Sequence, residues 1–180
     1  MTRITTAALA ASVLLISTAS SGARADLDVL ELFEGRYTFA GGEPEEARLR
    51  DAIDSVVDRL SFFIRDIARG EIRRNIQPDP RIRLEVVDRG RLRLSFGDWG
   101  PIDVRLDGST THVQGPDGAE TRISARLQGS RIEVIQESSR GRRVNWLTLS
   151  PDARYLFLQV SVGADQLPAN IRYTLSYRRR

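Results

Sequence analysis

After Pro80 the apolar residues of this chain change from a period of 3.6 to a period of 2 and keep it almost to the last residue. Side chains alternate faces along a strand, so a run of this kind is a succession of half-buried strands. Ile82, Leu84 and Val86 alternate with Arg81, Arg83 and Glu85, and Leu92, Leu94 and Phe96 alternate with Arg91, Arg93 and Ser95. Ile102, Val104 and Leu106 follow, then Ile123, Ala125 and Leu127, then Ile132 and Val134, and finally Ile171, Tyr173, Leu175 and Tyr177. Turn formers such as Asp88-Arg89-Gly90, Asp107-Gly108 and Gly129-Ser130 separate the runs. About nine strands with such short loops must pair sequentially and antiparallel. Strand twist accumulates and open edges invite aggregation, so the sheet is expected to curl until it closes. The expected fold class is α+β: one long N-terminal helix packed on an antiparallel up-and-down meander of about nine to ten strands, a closed or nearly closed barrel.

The stretch from Val144 to Val162 is expected at the centre of that sheet. Two runs rich in β-branched and aromatic residues flank Ser150-Pro151-Asp152-Ala153. Pro151 presets φ for a turn, and Ser150 and Asp152 can bond the local backbone. Leu156, Leu158, Val160 and Val162 share one face, Tyr155 and Phe157 the other. A strand apolar on both faces is usually covered on both. Trp146 reads as a core residue.

Upstream lies the one long helical signal. Leu49, Ile53, Val56, Leu60, Phe63 and Ile67 recur at spacings of 4, 3, 4, 3 and 4, which is one face of a helix. The helix is placed at about residues 44–70 and the meander at about 81–178. The second face of the central hairpin is the expected dock for the helix stripe. The segment Asp26 to Glu34 reads as a short amphipathic lead-in, and Gly35 to Ala40 as a first strand.

Residues 1–25 read as a processing signal. Arg3 is followed by an apolar run from Ala7 to Ile16 and by Ala23-Arg24-Ala25, an A-x-A cleavage pattern. The mature chain is expected to begin at Asp26 and to be periplasmic or secreted, with residues 26–180 as one domain. There is no Cys, so no disulfide holds the fold. All 27 basic residues are Arg; removing Arg3 and Arg24 leaves 25 against 24 acids. That balance gives no electrostatic footprint for nucleic acid. Local clusters at Arg73-Arg74 and Arg178 to Arg180 read as solvated ends, with contact to a membrane surface as the sharper alternative. A monomer is expected over a helix-paired dimer.

The order of strand, helical segment and long meander resembles the calycin group, the lipocalins and fatty-acid-binding proteins. The start Phe33-Glu34-Gly35-Arg36-Tyr37 looks like the Gly-x-Trp opening of a lipocalin with Tyr37 in place of Trp. Thr148 to Asp152, and Leu167-Pro168 through Tyr173 to Arg178, also look like the tail of a family of uncharacterised exported bacterial proteins, which brings no activity with it. The resemblance implies a barrel that carries lipophilic molecules. Two departures stand out. The Arg-x-Tyr with which fatty-acid-binding proteins hold a carboxylate is absent at Arg172-Tyr173-Thr174, and their lid of two short helices is replaced by one long helical signal.

Catalytic and metal chemistry finds little to work with. There is one His, His112, no Cys, and no G-x-S-x-G, so metal clusters and nucleophilic triads lack their parts. Asp88, Asp107, Asp117 and Asp152 sit in turn sequences, and the pair Asp98 and Asp103 reads as loop capping. The chain is read as a non-enzymatic domain with no cofactor, binding a small apolar or amphipathic ligand. Trp99, between Gly and Gly-Pro in a loop, is the leading candidate contact. Tyr37, Phe96 and Tyr173 are the others. The alternative is a protein-interaction or envelope-structural module that uses the helix stripe or the Trp99 loop. A binder should carry a cavity of roughly 300 Å³ or more, an interaction module a filled core and an exposed apolar patch.

Overall fold

The computed structural model describes residues 28–96, 100–115 and 118–180. A short helix, α1, covers 28–33 and leads directly into β1, Gly35–Phe39. Two helices follow, α2 (Gly42–Val57) and α3 (Phe62–Asn75). Nine strands complete the chain: β2 (Arg81–Asp88), β3 (Arg91–Phe96), β4 (Ile102–Arg105), β5 (Asp107–Gln114), β6 (Glu120–Gln128), β7 (Arg131–Ser138), β8 (Gly141–Leu149), β9 (Tyr155–Gly163) and β10 (Ile171–Arg179).

The strands form one antiparallel sheet in the order β4-β3-β2-β1-β10-β9-β8-β7-β6-β5. Apart from β1, which is inserted between β2 and β10, it is the expected meander. Among the described residues no ladder joins β4 to β5. The corner between them is stitched by Leu106, whose N–H donates to Gly90 O at 2.8 Å and whose carbonyl accepts from Leu127 N at 3.4 Å. Gly108 at this corner has φ +86°, and a side chain there would run into Arg126, so a residue without Cβ is needed. The result is a nearly closed barrel, open along one short seam.

Alternation makes the core. Register places Leu147 beside both Leu158 and Ile132, and Leu158 beside Leu175. Ile132, Val134, Leu147, Leu158, Val160 and Ile171 retain no accessible surface, so no water-sized void borders them. The middle of the barrel is packed solid, as expected for a small barrel filled by its own side chains.

The β8–β9 hairpin forms as its residues dictate. Tyr155 N donates to Ser150 Oγ at 2.9 Å, Arg154 N to Asp152 Oδ1 at 3.2 Å, and Ala153 takes the left-handed φ of 54°. Its outer face is a correction. No helix covers it, and Tyr155 and Phe157 remain 39% and 37% exposed. Trp146 likewise lies on the outside, half-buried, with its indole N–H on Glu133 Oε1 at 2.9 Å; it is not a core residue.

The second correction is the long helix. It is two helices, broken at residues 58–61, where Ser61 adopts ψ 140°. No Gly or Pro marks the break. Arg65 reaches back to Leu60 O at 3.1 Å, satisfying a carbonyl near the end of α2. Arg69 bonds Asp54 and Asp58 at 3.1 and 2.7 Å, and Arg73 bonds Asp54 at 2.6 Å. These pairs fold α3 back along α2. The apolar stripe is thereby cut in half. Leu49, Ile53, Val56 and Val57 are buried, whereas Phe62, Phe63, Ile64 and Ile67 are 78%, 88%, 50% and 72% exposed. The helix dock is also different from the expected one: α2 meets β10. Beyond the end of β1 the edge of β10 is completed by Glu45, which accepts from Ser176 N and Oγ, both at 2.6 Å. Gly41 makes room for that carboxylate, because a Cβ there would collide with it.

Candidate functional site

The two ends of the barrel are built differently. At the end where β1 begins, α1 supplies Leu30 and Phe33, both buried. Tyr37 points inward here, and its hydroxyl donates to Phe33 O at 2.8 Å. Arg179 lies over its ring at 5.9 Å from the centroid and donates to Glu34 O. Burial pushes the Tyr37 hydroxyl up against a smaller opposing pull from Arg179. The Tyr37 hydroxyl, Phe33 O and Glu34 O each have a protein partner here.

The other end lies under α2 and α3. Tyr173 and Tyr177 face inward from β10, 7% and 0% exposed, and neither hydroxyl has a hydrogen-bond partner. A buried polar group left unpaired costs about 1–3 kcal/mol, so two neighbouring ones need a reason. Arg143 and Asn145 face the same interior from β8, opposite Val162 and Val160. Arg143 Nε donates to Asn145 Oδ1 at 2.9 Å, and Asn145 is 1% exposed. Burial raises both tyrosines above the usual phenol range; Asp79 adds to this and Arg143 opposes it. Two buried hydroxyls therefore stand near one guanidinium and one carboxylate, both of partly buried residues, at the helix-covered end. Such a constellation can hold the polar head of a small molecule.

Beside it is a cleft of about 570 Å³. Phe39, Leu49, Ile53, Ile76, Pro78 and Pro80 give it apolar walls, and Glu46, Arg50, Arg73 and Gln77 its rim. Phe39 links the two features: its ring stands edge-on to the ring of Tyr177, 5.8 Å between centroids.

Of the residues singled out from the sequence, Tyr173 lies in this polar group. Phe96 is inward-facing, 8% exposed and paired with Ile82. Tyr37 is in the plug at the opposite end. Trp99, Asp98, Asp117 and the expected leader 1–25 lie outside the described residues. Asp103 is on the outer surface, clasped by Arg93 at 2.6 and 2.9 Å, and His112 is exposed with Nδ1 2.9 Å from Glu120. Tyr177 is expected only as an alternating residue of the last strand, and neither it nor Arg143 and Asn145 is among the site residues expected from the sequence. Their signal was there: the turn after Leu149 pairs Leu149 with Leu156, and counting back by twos puts Asn145 and Arg143 on the face of Val160 and Val162. Among the described residues no group of three or more His, Asp or Glu could hold a metal ion, and no helix is long and apolar enough to cross a membrane.

No family model matches the chain, and no curated protein matches it. Solved structures do. A secretory abundant heat soluble protein from Ramazzottius varieornatus matches with a TM-score of 0.53 at 8% identity, over 83% of this chain and 96% of that one. Apo lipid binding protein 8 of Caenorhabditis elegans matches with a TM-score of 0.51 at 10% identity, over 83% and 96%. The REP1-NXSQ fatty acid transporter matches with a TM-score of 0.50 at 12% identity, over 82% and 95%. These neighbours are calycin-like β-barrels of the fatty-acid-binding type, so the resemblance read from the sequence holds at the level of the fold.

Proposed function

We propose that this chain is an exported, non-enzymatic binding protein for a small amphipathic molecule with an oxygen-bearing head. The observation that carries the reading is the pair of buried tyrosine hydroxyls, Tyr173 and Tyr177, that lack partners beside Arg143. A ligand oxygen accepting from them relieves two unpaired donors at once, and a carboxylate gains the guanidinium as well. The cleft at the same end exceeds the roughly 300 Å³ that a ligand site needs. Two structures of the same fold are named a lipid binding protein and a fatty acid transporter, which agrees with the class of ligand. The reading of an exported, periplasmic or secreted chain is supported by the A-x-A cleavage pattern that ends the sequence of residues 1–25.

The test is a titration with a dansyl-labelled undecanoic acid, followed by displacement with oleic acid and with its methyl ester. The reading expects saturable one-to-one binding and weaker displacement by the ester. Absence of saturable binding by any of the three sinks it.

The second reading, a protein-interaction module, draws on the exposed apolar face of α3 and on the filled middle of the barrel. It expects Ile67→Asp to abolish association with other chains. The binding reading expects that variant to keep its ligand and to change stability by no more than about 0.5 kcal/mol.

A further inference from the structure

The packed interior of this barrel leaves no free surface for a hydrocarbon tail among the described residues. Ile132, Val134, Leu147, Leu158, Val160 and Ile171 have no accessible surface. Admitting even a short alkyl chain among them means expanding a close-packed core, which costs on the order of 1–3 kcal/mol per inserted side-chain-sized group. The space lies elsewhere. The cleft of about 570 Å³ is bounded by α2 on one side, by the end of β1 on another, and by residues 76–80, where the chain returns from α3 to β2.

Its walls suit a tail. The accessible apolar surface is that of Phe39, Pro78 and Pro80, backed by the buried side chains of Leu49, Ile53 and Ile76. The polar side chains stand at the rim, where they already have work. Arg50 bonds Glu43, and Arg73 bonds Asp54 at 2.6 Å while its Nε is buried without a partner. The backbone around the inner wall is fixed, since Phe39 N donates to Pro80 O at 3.1 Å and Ala40 N to Ser176 O at 2.8 Å. The Phe39 ring, half-buried and edge-on to Tyr177, borders both the cleft and the tyrosine pair. A rotamer change of one aromatic ring is a fast and inexpensive motion.

We propose that the ligand's apolar tail is bound in this cleft, outside the barrel wall and beneath α2, with its head passed beyond the Phe39 ring to Tyr173, Tyr177 and Arg143. The proposal rests on the binding reading above and adds the place and direction of the tail. The ligand class narrows to amphiphiles with one unbranched or small apolar tail, because the cleft is bounded on three sides and the interior takes none of it.

The experiment uses stearic acid with a nitroxide near its methyl end, added to the isotope-labelled full chain. A nitroxide broadens amide signals only in its neighbourhood, so it reports where the tail lies. The expected result is loss of the Thr38, Ile53 and Gln77 amide signals, with those of Ile132, Val134 and Leu147 retained. Selective loss of the Ile132, Val134 and Leu147 signals overturns the proposal and puts the tail inside the barrel. Selective loss at Ile67 and Phe63 overturns it too, in favour of the outer face of α3. A chain that binds neither this acid nor oleic acid removes the binding reading itself. As a second variant, Gln77→Cys gives a unique thiol in a Cys-free chain. Capping it with a bulky maleimide should weaken stearic acid binding about tenfold or more, and unchanged affinity after capping contradicts the proposal.

Discussion

Tyr37 and Tyr177 are both inward-facing tyrosines of one barrel, 1% and 0% exposed, yet only the first has a partner for its hydroxyl. The plug end behaves as ordinary core: the Tyr37 hydroxyl donates to Phe33 O and Arg179 to Glu34 O. The helix-covered end carries two unpaired hydroxyls, a buried Asn and an inward Arg. Folding alone favours the first arrangement, because a buried donor is either paired or costly. The proposed site therefore lies where the structure departs from what stability requires.

The contrast between the ends can be broken by substitution. The largest effect belongs to the plug. Phe33→Ala should cost about 3–5 kcal/mol and lower the melting temperature by roughly 6 to 20 °C, and calorimetry reads this directly. Next is Arg143→Met, which should weaken oleic acid binding by about ten- to a hundredfold through loss of a charge-assisted contact, with the chain still folded by circular dichroism. A smaller and sharper test compares two deletions of one oxygen. Tyr37→Phe should destabilise by about 1–2 kcal/mol and leave ligand affinity alone, since it orphans Phe33 O. Tyr177→Phe should be neutral or slightly stabilising and weaken binding about fivefold. Equal stability costs for the two would mean the ends do not differ.

The smallest effect is in alkaline solution. Burial raises the Tyr173 and Tyr177 hydroxyls, so above about pH 10 the unfolded chain releases protons that the folded chain keeps. Stability present below that pH is therefore lost as pH rises through the shifted range. Tyr173→Phe/Tyr177→Phe should flatten the decline in melting temperature above pH 10. The surface carboxylates act in the opposite window. Arg93 beside Asp103, and Ser150 and the Arg154 N–H beside Asp152, hold those groups below the usual carboxylate range. Their contribution is present above about pH 4 and lost as acid protonates them.

Most of the barrel could be read from alternation because strand register is local arithmetic. Ile82, Leu84, Leu92 and Leu94 fall on the buried face as their spacing requires. The helix break could not be read that way. The spacing Leu49-Ile53-Val56-Leu60-Phe63-Ile67 continues through it, and what decides the fold is Arg69 and Arg73 meeting Asp54 and Asp58 across a turn. Those contacts exist only once the helices are antiparallel. The covering expected on Tyr155 and Phe157 failed for a related reason: α2 satisfies the open edge of β10 through Glu45 instead. The site lay between these cases. Tyr173 was legible as an inward aromatic, but the absence of a partner for its hydroxyl is a property of the packed structure, and no spacing rule carries it.

The chain has four tyrosines, and they sample the whole argument: Tyr173 and Tyr177 at the proposed site, Tyr37 in the plug, and Tyr155 on the outside. Labelling every tyrosine with carbon-13 at the hydroxyl-bearing ring carbon and titrating in oleic acid tests the central claim most directly. The account predicts that the Tyr173 and Tyr177 signals shift and saturate together while those of Tyr37 and Tyr155 stay in place. Movement of the Tyr37 signal with Tyr173 and Tyr177 stationary would contradict it.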